Sequence, residues 1–145
     1  MFDKVFDIAA SAMSANRLRI NTVASNIANA KTTKTEEGGP YKRRDVTFAA
    51  IDVPANSFDS ALDEASLKSV RVTGVVEDQS EPQMIYDPGH PDADEATGMV
   101  AMPNVNIVSE MTNMLTASAA YKAAAEVVNV TKEMSQSVRQ LFTRL

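Results

Sequence analysis

Apolar positions recur every seven residues at both ends of the chain and lose that rhythm between them. Phe6, Met13, Ile20 and Ile27 form one row; Phe2, Ala9, Asn16, Val23 and Ala30 form a partner row four residues earlier. Rows three and four residues apart share one helix face, so this stretch is predicted to be a helix lying along another helix. At 1.5 Å per residue it would be about 43 Å long. Asn16 stands inside the seam, where a polar side chain costs stability but fixes register. Near the other end Ile107, Met114, Tyr121, Val128, Ser135 and Phe142 repeat the spacing, with Ala117, Ala124, Thr131, Val138 and Leu145 three residues on. Val127, Val130, Met134 and Leu141 widen that face, and the Ala-rich run Ser118–Ala125 permits close helix approach. Asn104 or Asn106, following Pro103, can cap the start of this second helix. No breaker follows before Leu145, which allows a length of about 60 Å.

All five glycines and all six prolines lie between Gly38 and Pro103. Both residue types interrupt helices. The chain therefore divides into a helix over 1–35, a middle segment over 36–103 and a helix over 104–145. In the middle, Val70 to Val76 alternates apolar and polar residues up to Gly74, which could mark a bulge, and reads as a strand. Met84-Ile85-Tyr86 is a second candidate strand, and Asp87-Pro88-Gly89-His90-Pro91 is a turn cluster. Residues 52–69 read equally as a loop or a short helix. The predicted fold is mainly α: long N- and C-terminal helices pairing as a coiled-coil-like hairpin, with a small irregular or β middle segment.

Charge sharpens this division. Residues 36–103 carry five basic and fourteen acidic groups, against five and two in residues 1–35 and four and three in residues 104–145. An acidic middle lacks the basic footprint that nucleic acid requires. The 145 residues contain no cysteine, which removes disulfide and thiol chemistry, and only one histidine. That residue, His90, sits near Asp87, Asp92 and Asp94, but Asp92-Ala93-Asp94-Glu95 lacks the glycine and distal glutamate of a calcium loop. A charged turn is the expected reading, with no metal and no cofactor. No nucleophile motif and no phosphate-cradling glycine loop is present, so an enzyme is not expected. No apolar run is long enough to span a bilayer. The N-terminus lacks the basic and apolar regions of a secretory signal, so departure from the cytoplasm would need another route.

Two function classes fit these features. One is a structural subunit whose terminal helices pack into a larger assembly. The other is a peripheral membrane or partner-binding amphipathic helix protein, using Phe2, Val5, Phe6 and Ile8. The polar face of that N-terminal segment is mostly Asn, Ser and Ala, whereas interfacial helices favour Lys and Arg.

Specific residues favour the first class. Ser25-Asn26-Ile27-Ala28-Asn29-Ala30 resembles the Asn-Ile-Ala-Asn signature of bacterial flagellar axial proteins, the family of rod, hook and hook-associated subunits. Within that family Gly39-Pro40-Tyr41-Lys42-Arg43-Arg44, Val70 to Ser80, Tyr86 to Asp94 and Pro103 to Met111 are similar to a proximal rod member, in order along nearly the whole chain. Lys31, Ala119 and Ala124 depart from the residues common at those positions. The resemblance implies a structural subunit of the periplasmic basal-body rod, helping to link the export gate and inner ring to the distal rod and hook. It implies export by the flagellar type III route without a cleaved signal. Its implied partners are other copies, proximal and distal rod proteins and the adaptor at the export gate, with no nucleic acid and no membrane insertion. The implied assembly residues are Phe6, Met13, Asn16, Ile20, Asn26, Ile27, Asn29, Met114, Tyr121 and Val128. Phe2-Asp3-Lys4-Val5-Phe6 is similar to the export-gate motif of rod and hook substrates, although ordinary seam residues give the same pattern.

Overall fold

The computed structural model describes residues 2–53 and 67–143, with side chains up to Leu141. Helix α1 spans Phe2–Ala28 and helix α2 spans Ile107–Thr143. Between them lie β1 (Arg44–Asp52), β2 (Lys68–Glu77), β3 (Gln83–Tyr86) and β4 (Met99–Met102). β1 pairs with β2 and β3 with β4, giving two two-stranded sheets. In the second sheet the pairing is antiparallel, from Gln83 opposite Met102 to Tyr86 opposite Met99.

The mainly α hairpin expected from the seven-residue rows is corrected here. Helices of 27 and 37 residues share the chain with strands of nine, ten, four and four. Two physical reasons account for the difference. The valine-rich Lys68–Glu77 needs a partner for its backbone groups, and Arg44–Asp52, which shows no clean alternation, supplies one. In α1 the buried positions are Ala9, Ala15, Val23 and Asn26, an irregular set of intervals that does not sustain a coiled-coil seam. In α2 burial does recur every seven residues, at Glu110, Ala117, Ala124 and Thr131. The expectation for residues 52–69 falls largely on 54–66, outside the described residues, as does Leu145 of the predicted seam.

Local chemistry explains where the helices stop and start. Past Ala28, the Ala30 N–H turns to the Ile27 carbonyl and the Thr32 N–H to the Asn29 carbonyl, tighter three-residue bonds that close the last turn. The Asn29 amide folds back onto the Ser25 carbonyl at 2.9 Å, competing with the backbone. At the other helix Asn106 is the cap: its Oδ1 accepts the Val108 and Ser109 N–H groups at 3.0 and 3.1 Å. Asn104 is used differently, as described below. After β3 the chain returns through Gly98, whose φ is +65°. A Cβ there would meet the Tyr86 ring at 2.8 Å, so both backbone and space require glycine.

The chain divides into two compact units. The first comprises residues 1–18, 47–74 and 116–145; the second comprises 19–46 and 75–115. In the first, the buried side chains among the described residues are Ala9, Ala15, Ala117, Ala124 and Thr131. In the second they are Val23, Tyr41, Val46, Val100, Pro103 and Val105, together with Asn26 and Glu110.

Candidate functional site

The densest set of polar contacts lies in the second unit, around two side chains with no solvent exposure, Asn26 and Glu110. The Asn26 Nδ2 donates to the Arg44 carbonyl at 2.7 Å and to Glu110 Oε2 at 2.8 Å. Its Oδ1 accepts the Tyr41 hydroxyl and the Arg44 N–H, each at 2.9 Å. Both donors and both acceptor sites of the amide are thus engaged. Glu110 Oε1 accepts Arg43 Nε at 2.9 Å and Asn113 Nδ2 at 3.3 Å. Arg43 continues outward to Asp45, with NH2 donating at 3.2 Å. Burial works against the Arg43 charge, but the hydrogen bond and charge of Glu110, with Asp45, outweigh it and raise the guanidinium pKa.

Asn104 ties the surrounding loops to this cluster. Its Oδ1 accepts the Arg43 N–H at 2.8 Å, and its Nδ2 donates to the Asp78 and Ser80 carbonyls at 3.3 Å. The Asp78 N–H returns to the Arg43 carbonyl at 2.7 Å. The Ser80 hydroxyl and N–H both donate to the Asp78 carboxylate and hold its pKa below the usual carboxylate range. The chemistry of this cluster is positioning: a buried amide and an ion pair buried on its Glu110 side hold the end of α1, the start of β1 and the start of α2 together.

The predicted assembly residues are spread over both units. In the first unit Met13 and Tyr121 line one open cleft of about 200 Å³ with Ala10, Ser14 and Arg17. Phe2, Phe6 and Val128 are half-buried there. Asn16, also half-buried, donates to the Ala12 carbonyl at 2.8 Å. A second groove, about 360 Å³ and lined only by apolar atoms, lies among Val5, Ile8, Ala9, Ala12, Leu67, Ala124 and Val127. In the second unit Ile20, Ile27, Asn29 and Met114 are half-buried, while Asn26 is the centre of the cluster above.

His90 belongs to its turn. Its Nδ1 accepts the Asp92 N–H at 3.1 Å, and its own N–H donates to the Asp87 carbonyl. The Asp92 carboxylate is taken by the Thr33 hydroxyl at 2.7 Å. The Asp94 carboxylate accepts the Thr97 N–H and hydroxyl and the Ala96 N–H, and these bonds hold its pKa below the usual range. Among the described residues, no group of three or more His, Cys, Asp or Glu side chains could hold a metal ion, and no helix is long and apolar enough to cross a membrane.

Sequence reasoning gave Glu110 and Arg43 no individual role and read Asn104 only as a candidate helix cap. One signal was available: Glu110 lies seven residues before Ala117, on the row that becomes buried, and is the only charged residue between Asn104 and Tyr121.

Comparison with known proteins places the chain among flagellar rod proteins. Residues 6–34 match the family described as flagella basal body rod protein, and residues 96–141 match the flagellar basal body rod FlgEFG protein C-terminal family. The flagellar basal-body rod protein FlgC of Borreliella burgdorferi is 38% identical over 138 residues, covering 90% of this chain and 91% of that protein. Its namesakes in Escherichia coli O6:H1 and Salmonella typhimurium are 41% and 42% identical over 130 residues, with 90% of each chain covered. At this identity and coverage, the chain belongs to the FlgC family of flagellar basal-body rod proteins.

Proposed function

We propose that this protein, a structural basal-body rod subunit and not an enzyme, occupies the proximal part of the rod and polymerises through its terminal helices. In that position it would help connect the export gate and inner ring to the distal rod and hook, and carry torque between them. Its neighbours would be further copies, other proximal and distal rod subunits and the adaptor at the export gate. The rod segment concerned is periplasmic, and delivery follows the flagellar type III route without signal cleavage.

The observation that supports assembly through the helices is the incomplete burial of their apolar side chains. Phe6, Met13, Ile20, Ile27, Met114, Tyr121 and Val128 are all only half-buried in the single chain. Neighbouring subunits would complete the burial, at about 1.5–3 kcal/mol for each large side chain fully removed from water. Asn16 on the same helix as Phe6 and Asn29, in the turn just past its end, complete the proposed surface.

Ile27→Asp tests the reading, because an unpaired carboxylate buried between subunits costs several kcal/mol. The expected result is normal expression and export, no rod beyond the subunit's position in isolated basal bodies, and no swimming. Normal swimming would rule the helix surface out. A secretion assay on the Phe2→Ala, Phe6→Ala double variant separates the two roles of the N-terminus. Retention in the cytoplasm assigns an export element, whereas secretion with failed rod assembly assigns ordinary packing residues.

A further inference from the structure

Three stretches distant in sequence meet at Asn26 and Glu110: the last turns of α1, Tyr41–Arg44 at the start of β1, and the first turns of α2. We propose that this cluster is a conformational latch, which closes and opens these three stretches as one cooperative unit and thereby sets which face of α2 is offered outward.

The physical basis is the cost of a half-made network. Asn26 uses both donors and both acceptor sites, and its partners come from two other stretches. Withdrawal of α2 would leave one Asn26 amide hydrogen unpaired and strip Arg43 of its buried partner, leaving it only Asp45 and Asp78 toward the outside. Withdrawal of Tyr41–Arg44 would strand the Glu110 carboxylate and the Asn26 oxygen. Breaking a buried pair by removing one partner is far more costly than forming or losing it whole. Intermediate states are therefore disfavoured, and fully closed and fully open states remain.

Closure has an outward consequence. With Glu110 fully buried, Val108, Met111 and Leu115 are 74%, 56% and 72% exposed. The exposed stripe carries no charge, because Glu110 is the only charged residue between Asn104 and Tyr121. The inward anchoring of one side chain thus fixes the rotation of the first two turns of α2 and presents an apolar stripe. Opening the latch releases that rotation. Glu110 acts here as a positioning residue.

Native-state hydrogen exchange on the purified full-length chain tests the latch, read at peptides covering 24–30, 41–46 and 104–113. The wild type is expected to show one opening constant, and one dependence on denaturant, common to all three peptides. Glu110→Gln removes the charge that pairs Arg43 and should raise that shared constant about tenfold or more, since hydrogen bonds to charged groups contribute about 1.5–3 kcal/mol. Peptides within residues 5–15 should keep their wild-type exchange. Three unequal wild-type constants would overturn the proposal, even if the variant failed to fold. So would faster exchange in the variant confined to the peptide holding position 110, which is what a merely local contact would give.

Discussion

The two units of the chain solve burial in opposite ways. Among the described residues the first buries small side chains, Ala9, Ala15, Ala117, Ala124 and Thr131, and keeps an open apolar groove. Each alanine removes little apolar area from water, so what it contributes is close backbone approach. The second unit buries larger side chains, Val100, Tyr41 and Pro103, and encloses an amide and an ion pair. Small apolar surfaces tolerate several arrangements, because one alanine serves as well as another. A saturated polar cluster tolerates one, since every displacement leaves a buried donor or acceptor alone. The first unit is therefore suited to adjustable packing and the second to a single defined geometry.

Substitutions can break this contrast. The largest expected effect is Glu110→Ala, which takes from Arg43 its buried partner, leaving it Asp45 and Asp78, and strands one Asn26 hydrogen; the loss should be about 1.5–3 kcal/mol in denaturant unfolding of the purified chain. An effect below about 1 kcal/mol would mean that the polar cluster does not hold the second unit. Next is Ala117→Leu, whose site is 1% exposed. Overpacking there should cost about 1–3 kcal/mol. If the first unit packs as adjustably as argued, the loss will fall at the lower end of that range. Asn106→Ala removes the cap of α2 and should cost about 1 kcal/mol, visible as faster exchange in the first turn of that helix.

The smallest effect concerns acid. Asp78 and Asp94, both in the second unit, have carboxylate pKa values depressed by their Ser80, Thr97 and Ala96 hydrogen bonds. A depressed folded-state pKa contributes stability that is fully present above the unfolded carboxylate pKa and is lost as pH falls through the lower folded value. Stability should therefore decline below the usual carboxylate range. Asp94→Ala should flatten that decline, and an unchanged acid profile in this variant would remove Asp94 from the account.

The helices were legible because they carry no glycine or proline and repeat their apolar residues regularly. The cores of β2 and β3 were legible from valine alternation and a short apolar run. β1 was not, because Arg44–Asp52 mixes charged residues with two adjacent alanines and acquires its identity from β2. β4 has only four residues before Pro103, too few for a period to declare itself. The polar cluster was hidden for a different reason. Asn26 was visible within a family signature, but Glu110 is 84 residues away from it and Arg43 is 67 residues from Glu110. Local periodicity carries no information about which buried polar groups will find one another. The same limit explains the overreach toward a mainly α, coiled-coil-like fold: seven-residue spacing is real in α2, yet the buried set of α1 does not reciprocate it.

The seven-residue burial in α2 has one more consequence. A helix whose inner row repeats every seven residues is, to its surroundings, nearly the same object after sliding by one repeat. Ala117, Ala124 and Thr131 alone would not report such a slip. Glu110 does: moved by seven, the row would present the methyl group of Ala117 to Arg43 and Asn26, and the cluster could not form. A single carboxylate at the start of the row thus acts as a zero mark on an otherwise uniform ruler, giving a repetitive helix one address along its own length.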